Sequence, residues 1–176
     1  DFDDAVFAEP DTTRSTDGGW HIVVAIADVA AYVTPDSPLD REAYKRGNSA
    51  YFPDLVVPML PEALSNGLCS LRPDEDRACM TADLWIGPDG NLRSFQFRRA
   101  LMRSVARLTY EEVQAARDAN TDPVAPGHLA NLYGAYKSLS EARRVRGALD
   151  LELPERRVVL DDAGQVTDIV PVIRLD

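Results

Sequence analysis

Ala78-Cys79-Met80-Thr81-Ala82-Asp83-Leu84-Trp85-Ile86, then Pro88-Asp89-Gly90-Asn91, then residues 92–103, is the stretch that decides the fold class. The first segment alternates well enough for a strand, and Pro-Asp-Gly-Asn is a strong turn. The return segment is the antiparallel partner, with Phe95, Phe97 and Arg99 on one face. A hairpin of this kind closes locally and needs no crossover helix, so the surrounding sheet is expected to be antiparallel.

Reading outward, residues 4–9 and the β-branched run 20–27 form a second hairpin, joined by the polar stretch 10–19. Asp36-Ser37-Pro38 starts a helix over residues 39–46, which Gly47-Asn48 stops. Pro53, Pro58 and Pro61 leave residues 51–71 extended, with one helical turn near 61–65. Thr109 with Glu112 three positions on makes a capping box for a helix over 110–118. Residues 128–146 carry Leu129, Leu132, Tyr133, Tyr136 and Leu139 at helical spacing, and Gly147 ends that helix. A closing hairpin spans 158–160 and 166–172. The fold class is α+β, with mainly antiparallel strands packed with helices.

The chain has 176 residues, 45% hydrophobic and 27% charged. That suits one domain, or a large part of one, with a core to bury. No apolar run is long enough to span a bilayer. Cys69 and Cys79 have no His or Cys neighbours at metal-ligand spacing, so they are expected to be buried reduced thiols in a cytoplasmic protein. The net charge is −10, from 19 basic and 29 acidic residues, which by itself argues against a nucleic-acid partner. The distribution is uneven, however. Arg93, Arg98, Arg99, Arg103 and Arg107 fall within fifteen residues, and Arg143, Arg144 and Arg146 form a second group. Solvated faces are the plain reading of both.

Chemistry concentrates at Asp1-Phe2-Asp3-Asp4. Three carboxylates in four residues repel one another, and a divalent cation removes that conflict. Mg²⁺ prefers hard oxygen donors, typically one or two carboxylates with waters and substrate phosphate. In an extended segment Asp1 and Asp3 share a side, and Asp4 needs a local bend to join them. The string alone leaves three readings open: a solvated chain end, a Ca²⁺-type loop, or a catalytic metal site.

The remaining blocks narrow the choice. Asp1-Phe2-Asp3-Asp4-Ala5, Val24-Ala25-Ile26-Ala27-Asp28-Val29, Leu39-Asp40-Arg41-Glu42-Ala43, Tyr51-Phe52-Pro53 and Val57-Pro58-Met59-Leu60-Pro61 come first. Leu64-Ser65-Asn66-Gly67-Leu68-Cys69-Ser70-Leu71 and Ala106-Arg107-Leu108-Thr109-Tyr110 follow. In this order and spacing, over nearly the whole chain, they resemble the catalytic (RNB) domain shared by ribonuclease II and ribonuclease R. The Ser-Asn-Gly-Leu-Cys-Ser-Leu block is closer to the ribonuclease R branch.

The resemblance implies a processive, sequence-tolerant hydrolase that shortens single-stranded RNA from its 3′ end and releases 5′-monophosphates, with Mg²⁺ as cofactor. Residue by residue, Asp1, Asp3 and Asp4 look like metal ligands, and Asp3 like the carboxylate most directly tied to the chemistry. Phosphodiester hydrolysis needs an in-line oxygen nucleophile and charge neutralisation on the phosphate, which a two-metal site supplies. Tyr51 matches a family tyrosine, also treated as catalytic, beside the 3′-terminal nucleotide. Tyr110 matches a second substrate-side tyrosine, although its place in a capping box equally suits a structural role. The plain alternative for Tyr51 is a core position between two strands. His21 and His128 lie in no matching motif and read as structural. Asp28, ending an apolar strand, could cap a turn or orient a metal ligand.

The resemblance further implies parts not found here: an aspartate six residues before Asp1, a glutamate and an arginine beyond Asp176, and flanking OB-type RNA-binding domains. Residues 1–176 are therefore expected to be a partial catalytic domain, truncated at both ends and inactive alone. Two other classes remain as alternatives, a non-catalytic RNA-binding or scaffold homologue and an acidic Ca²⁺-binding domain.

Overall fold

The computed structural model describes residues 2–12, 18–149 and 153–172. Its strands are β1 (Asp4–Asp11), β2 (Gly19–Ala27), β3 (Ala50–Tyr51), β4 (Val56–Val57), β5 (Asp76–Ile86), β6 (Leu92–Arg103), β7 (Arg156–Leu160) and β8 (Val166–Pro171). Its helices are α1 (Pro38–Arg46), α2 (Tyr110–Asp118) and α3 (His128–Val145). The main sheet has the order β1-β2-β5-β6 with every pair antiparallel, while β3-β4 and β7-β8 form separate two-stranded ribbons. The class is α+β, as expected.

The deciding hairpin forms with Cys79 opposite Ala100 and Ala82 opposite Phe97. Its turn is held by the Asp89 carboxylate, which accepts hydrogen bonds from the Asn91 backbone N–H (3.1 Å), the Asn91 side-chain amide (2.9 Å) and Arg93 (2.7 Å). These donors, Asn91 first, hold the Asp89 carboxyl at about 2, below its ordinary 3.8. The first hairpin is also present, in a register from Asp4 opposite Ile26 to Asp11 opposite Gly19. β1 continues through Pro10, two residues beyond its expected end at Glu9. It is an edge strand, where a proline costs no ladder bond.

Helix ends follow the signals in the sequence. The Ser37 hydroxyl accepts from the Asp40 N–H (3.1 Å) with Pro38 at the first turn of α1, and Gly47 follows at φ 77°. At α2 the capping box closes in both directions: Glu112 N–H donates to Thr109 Oγ1 (3.2 Å), and Thr109 N–H to Glu112 Oε2 (2.7 Å). Asp122 organises the loop before α3, its carboxylate accepting from the N–H groups of Leu129 (2.8 Å) and Val124 (3.1 Å).

One expectation needs correction, and the helix α3 shows which of its apolar positions are buried. Residues 51–71 are not simply extended with a turn near 61–65. Tyr51 and Val56 pair across the short β3-β4 ribbon, and Ala63–Leu68 forms a wide helical turn. The prolines at 53, 58 and 61 fall outside these pieces, so none interrupts a ladder or a helix interior. In α3, Leu132 and Ala135 pack into the core on the sheet and Leu129 is buried, whereas Tyr136 and Leu139 are exposed.

Trp20 fixes how α3 lies on the sheet. A Cβ at Gly134 would overlap the Trp20 ring, and Trp20 Nε1 donates to Ser138 Oγ (3.1 Å), so α3 lies with Gly134 and Ser138 against the indole. Gly90 in the hairpin turn, at φ 74°, packs against the same helix, where a Cβ would overlap the Ser138 carbonyl oxygen. On this face Ala8, Ile22, Ile86 and Ala135 form one core cluster. On the opposite face the small residues Ala25, Ala27 and Cys79 leave room for Cys69 and Leu71 to lie close against the sheet.

Gly134→Ala and Gly90→Ala are each expected to destabilise the fold by about 1–3 kcal/mol, read as a lowered urea midpoint. Gly90→Ala carries backbone strain in addition. For the hairpin turn the pH sign is fixed by the lowered Asp89 value. Its contribution is present above pH 3.8 and is lost as pH falls through about 2. Amide exchange in β5 and β6 should therefore accelerate over that acid range in the wild type and not in Asp89→Asn.

Candidate functional site

The acidic segment is pinned by its own backbone. The Asp3 carbonyl accepts from the Ala27 N–H (2.8 Å), carrying the β1-β2 ladder one residue beyond Asp4. The Phe2 carbonyl accepts from the Leu71 N–H (2.8 Å), and the Phe2 N–H donates to Ser70 Oγ (3.2 Å). Ser70 is buried, so this contact is shielded from competing water. Above the Phe2 ring lies the Arg107 guanidinium, 4.0 Å from the ring centroid. Three blocks far apart in the sequence thus meet at one phenylalanine.

Continuing the register puts Asp3 opposite Ala27 and Asp4 opposite Ile26, so the two carboxylates leave the strand on opposite faces. Both are exposed. Among the described residues no hydrogen bond or ion pair reaches either carboxylate, and no three His, Cys, Asp or Glu side chains form a metal-holding group. Asp1, expected as a metal ligand, lies outside the described residues. The donors that are described, hard oxygens without a protein counter-ion, suit a cation that takes few carboxylates and completes its shell with water and phosphate.

Asp28 ends β2 beside this segment, its N–H bonded to the Ala78 carbonyl (3.0 Å). Its side chain does not cap the following turn. The carboxylate is 7% exposed and paired with Arg99, Nε to Oδ2 at 3.0 Å and a guanidinium nitrogen to Oδ1 at 3.4 Å. Arg99 reaches it across β5 from the far edge strand. Burial pushes the Cys69 thiol up from its ordinary value, and the nearby Asp3 and Asp28 carboxylates add to the rise. Burial raises Cys79 likewise, with Asp28 contributing. Both cysteines are free, buried thiols, as expected.

Tyr51, on β3, is 70% exposed, which excludes a core position between strands. Tyr110 is 85% exposed at the first position of α2, directly after the capping threonine. His21 is engaged at both nitrogens, Nδ1 to Glu9 (3.0 Å) and Nε2 to Asp83 (3.1 Å), and is stacked on Trp85. His128 bonds the Ala125 carbonyl (3.2 Å) against the Phe7 ring. Both histidines are engaged by neighbouring protein groups. The sequence reading missed the Ser70 clamp and the Arg107 stack. Both lie in blocks it had singled out, but contacts between distant blocks carry no local signal.

A family model, the RNB domain, matches residues 1–176. The chain belongs to the RNB domain family. It is 49% identical over 182 residues to ribonuclease R of Vibrio parahaemolyticus, a match covering 100% of this chain and 21% of that protein. Among solved structures, Mycoplasma genitalium RNase R in complex with ribose-methylated single-stranded RNA superposes with a TM-score of 0.89 at 31% identity. That match covers 99% of this chain and 27% of the other. Yeast Ssd1, a pseudonuclease, shares the fold with a TM-score of 0.62 at 20% identity, over 76% of this chain and 16% of its own. The chain thus spans about a fifth of the length of the curated relatives it matches. The RNB identification and its ribonuclease R form stand as expected from the sequence.

Arg99→Ala strands a buried carboxylate and is expected to destabilise the fold by about 1–3 kcal/mol, below the about 3–5 typical of fully buried pairs because Arg99 is itself largely exposed. Adding Asp28→Asn should restore part of the loss in a double-mutant cycle. The raised thiols give an alkaline prediction. Their protonated form stabilises the fold fully below their ordinary 9.0, and that contribution disappears as pH rises through the higher folded values. Unfolding midpoints measured from pH 8 to 11 should fall less steeply in a Cys69→Ala/Cys79→Ala variant than in the wild type.

Proposed function

We propose that this chain is part of a Mg²⁺-dependent 3′→5′ exoribonuclease, a processive hydrolase of single-stranded RNA that releases nucleoside 5′-monophosphates. The observation that carries the reading is the pinned acidic segment. Asp3 and Asp4 are offered, exposed and without protein counter-ions among the described residues, at a strand end held by Ala27 and by the Ser70–Leu71 segment. Family membership supports it, as do ribonuclease R relatives and an RNase R solved with single-stranded RNA.

In this reading Asp1, Asp3 and Asp4 hold the metal, and Asp4, which leaves the opposite face of the strand from Asp3, would join it through a local bend. Bound Mg²⁺ would neutralise charge on the phosphate and lower the pKa of an attacking water. Asp3 fixes the geometry at the scissile phosphate, because its backbone is locked to Ala27 while its carboxylate remains free. Tyr51 and Tyr110, both exposed rings, present stacking faces to the 3′-terminal nucleotides. Stacking tolerates any base, which an enzyme that degrades without sequence preference requires. The remaining catalytic groups would come from sequence outside residues 1–176, and this chain alone is expected to be inactive.

The fold does not by itself carry catalysis, since a pseudonuclease shares it. The test therefore compares the intact protein with its Asp3→Asn variant on 5′-labelled RNA in Mg²⁺. Cleavage is expected to drop more than 100-fold, beyond the about 10- to 100-fold typical of groups outside the metal's ligand shell, with RNA binding retained. Undiminished cleavage would remove Asp3 from the role, and an inactive wild type would favour the non-catalytic homologue. Tyr51→Ala is expected to weaken RNA binding by about 1–3 kcal/mol, measured by fluorescence anisotropy in the Asp3→Asn background.

A further inference from the structure

We infer that Arg107 is a substrate-positioning residue that receives a backbone phosphate of the RNA beside the acidic segment; this rests on the exoribonuclease reading above. Five arginines cluster between positions 93 and 107, and four of them are already matched to carboxylates. Arg93 pairs with Asp89 (2.7 Å), Arg98 with Asp83 (3.6 Å), Arg99 with Asp28 (3.0 Å) and Arg103 with Asp76 (2.7 Å). Arg107 differs. Among the described residues its guanidinium makes no ion pair or hydrogen bond, and it is exposed. Its contact is through the flat face, on the Phe2 ring.

That geometry separates the two functions of a guanidinium. The face is immobilised by an aromatic ring, while the rim of N–H donors is left for an outside acceptor. A planar fork held in this way matches two oxygens of a phosphate. The ring that holds it is itself rigid, bonded through its backbone to Ser70 and Leu71. Phe2 adjoins Asp3 in the chain, so the cation is anchored on the same pinned segment as the acidic residues, and by strand alternation on the side of Asp4. Glu112 is held below its ordinary range first by the Thr109 hydrogen bonds and, less, by Arg107, but its carboxylate is committed to the capping box with Thr109. In a chain of net charge −10, an unmatched cation beside an acidic cluster is a local exception that an anionic ligand explains.

The test uses the intact protein and 5′-labelled single-stranded RNA, with binding measured in the Asp3→Asn background across a salt series. Arg107→Ala is expected to weaken binding by roughly tenfold or more and to reduce the slope of log K against log salt by about 0.7, the value of one phosphate contact on a single strand. Arg107→Lys should keep the slope and recover only part of the affinity, because the charge remains and the fork is lost. Phe2→Leu should leave the slope unchanged and weaken binding by about two- to fivefold. An Arg107→Ala variant with wild-type slope and affinity overturns the inference, as does an Arg107→Lys variant whose slope falls as far as that of Arg107→Ala. Failure of the broader reading would appear separately, as an otherwise wild-type intact protein that does not shorten RNA in Mg²⁺.

Discussion

The structure depends on β2 being hydrogen-bonded along both edges. Once Asp4 pairs with Ile26 on one side and Met80 pairs with Ile26 on the other, every side chain in the sheet has its face assigned. Consecutive residues then divide between two cores, one under α3 and one under the segment that carries Cys69 to Leu71. Neither core could form with the strand slipped by one residue, because small and large side chains would exchange sides.

From that ladder the site follows with little further cost. The bond from Ala27 to the Asp3 carbonyl is one more rung of the same pattern, and the row of alanines beside it admits the chain that clamps Phe2. Order in the acidic segment is thus borrowed from the sheet rather than made by the carboxylates, which repel one another. The Asp28–Arg99 pair has a comparable structural part. It neutralises a buried charge near that segment using an arginine from the far edge strand, so the end of β2 is tied to β6 across β5.

Much of this was legible in the sequence where one interaction dominates locally. Pro88 to Asn91 specified its hairpin because the turn chemistry lies within four residues. Thr109 and Glu112 specified α2 for the same reason. The prolines of residues 51–71 exclude a long regular element, and between them lie short pieces, β3, β4 and the turn at 63–68, that the sequence did not specify. The periodicity of α3 identified the helix but not its buried face, because that face is chosen by the bulk of Trp20 and the absence of a side chain at Gly134. At the site, family resemblance marked the acidic residues and both tyrosines. It could not reveal that Arg107 lies on Phe2, since that contact joins residues more than a hundred positions apart.

The opposite outlook of Asp3 and Asp4 has a consequence for how such a chain can vary. Adding or deleting a single residue within β1 would exchange the two carboxylates between faces while leaving composition and charge nearly untouched. Strand length here therefore decides which face of the sheet each carboxylate is offered on. Two homologues could keep every acidic residue and differ in activity through one such indel, which an inventory of residues would never show.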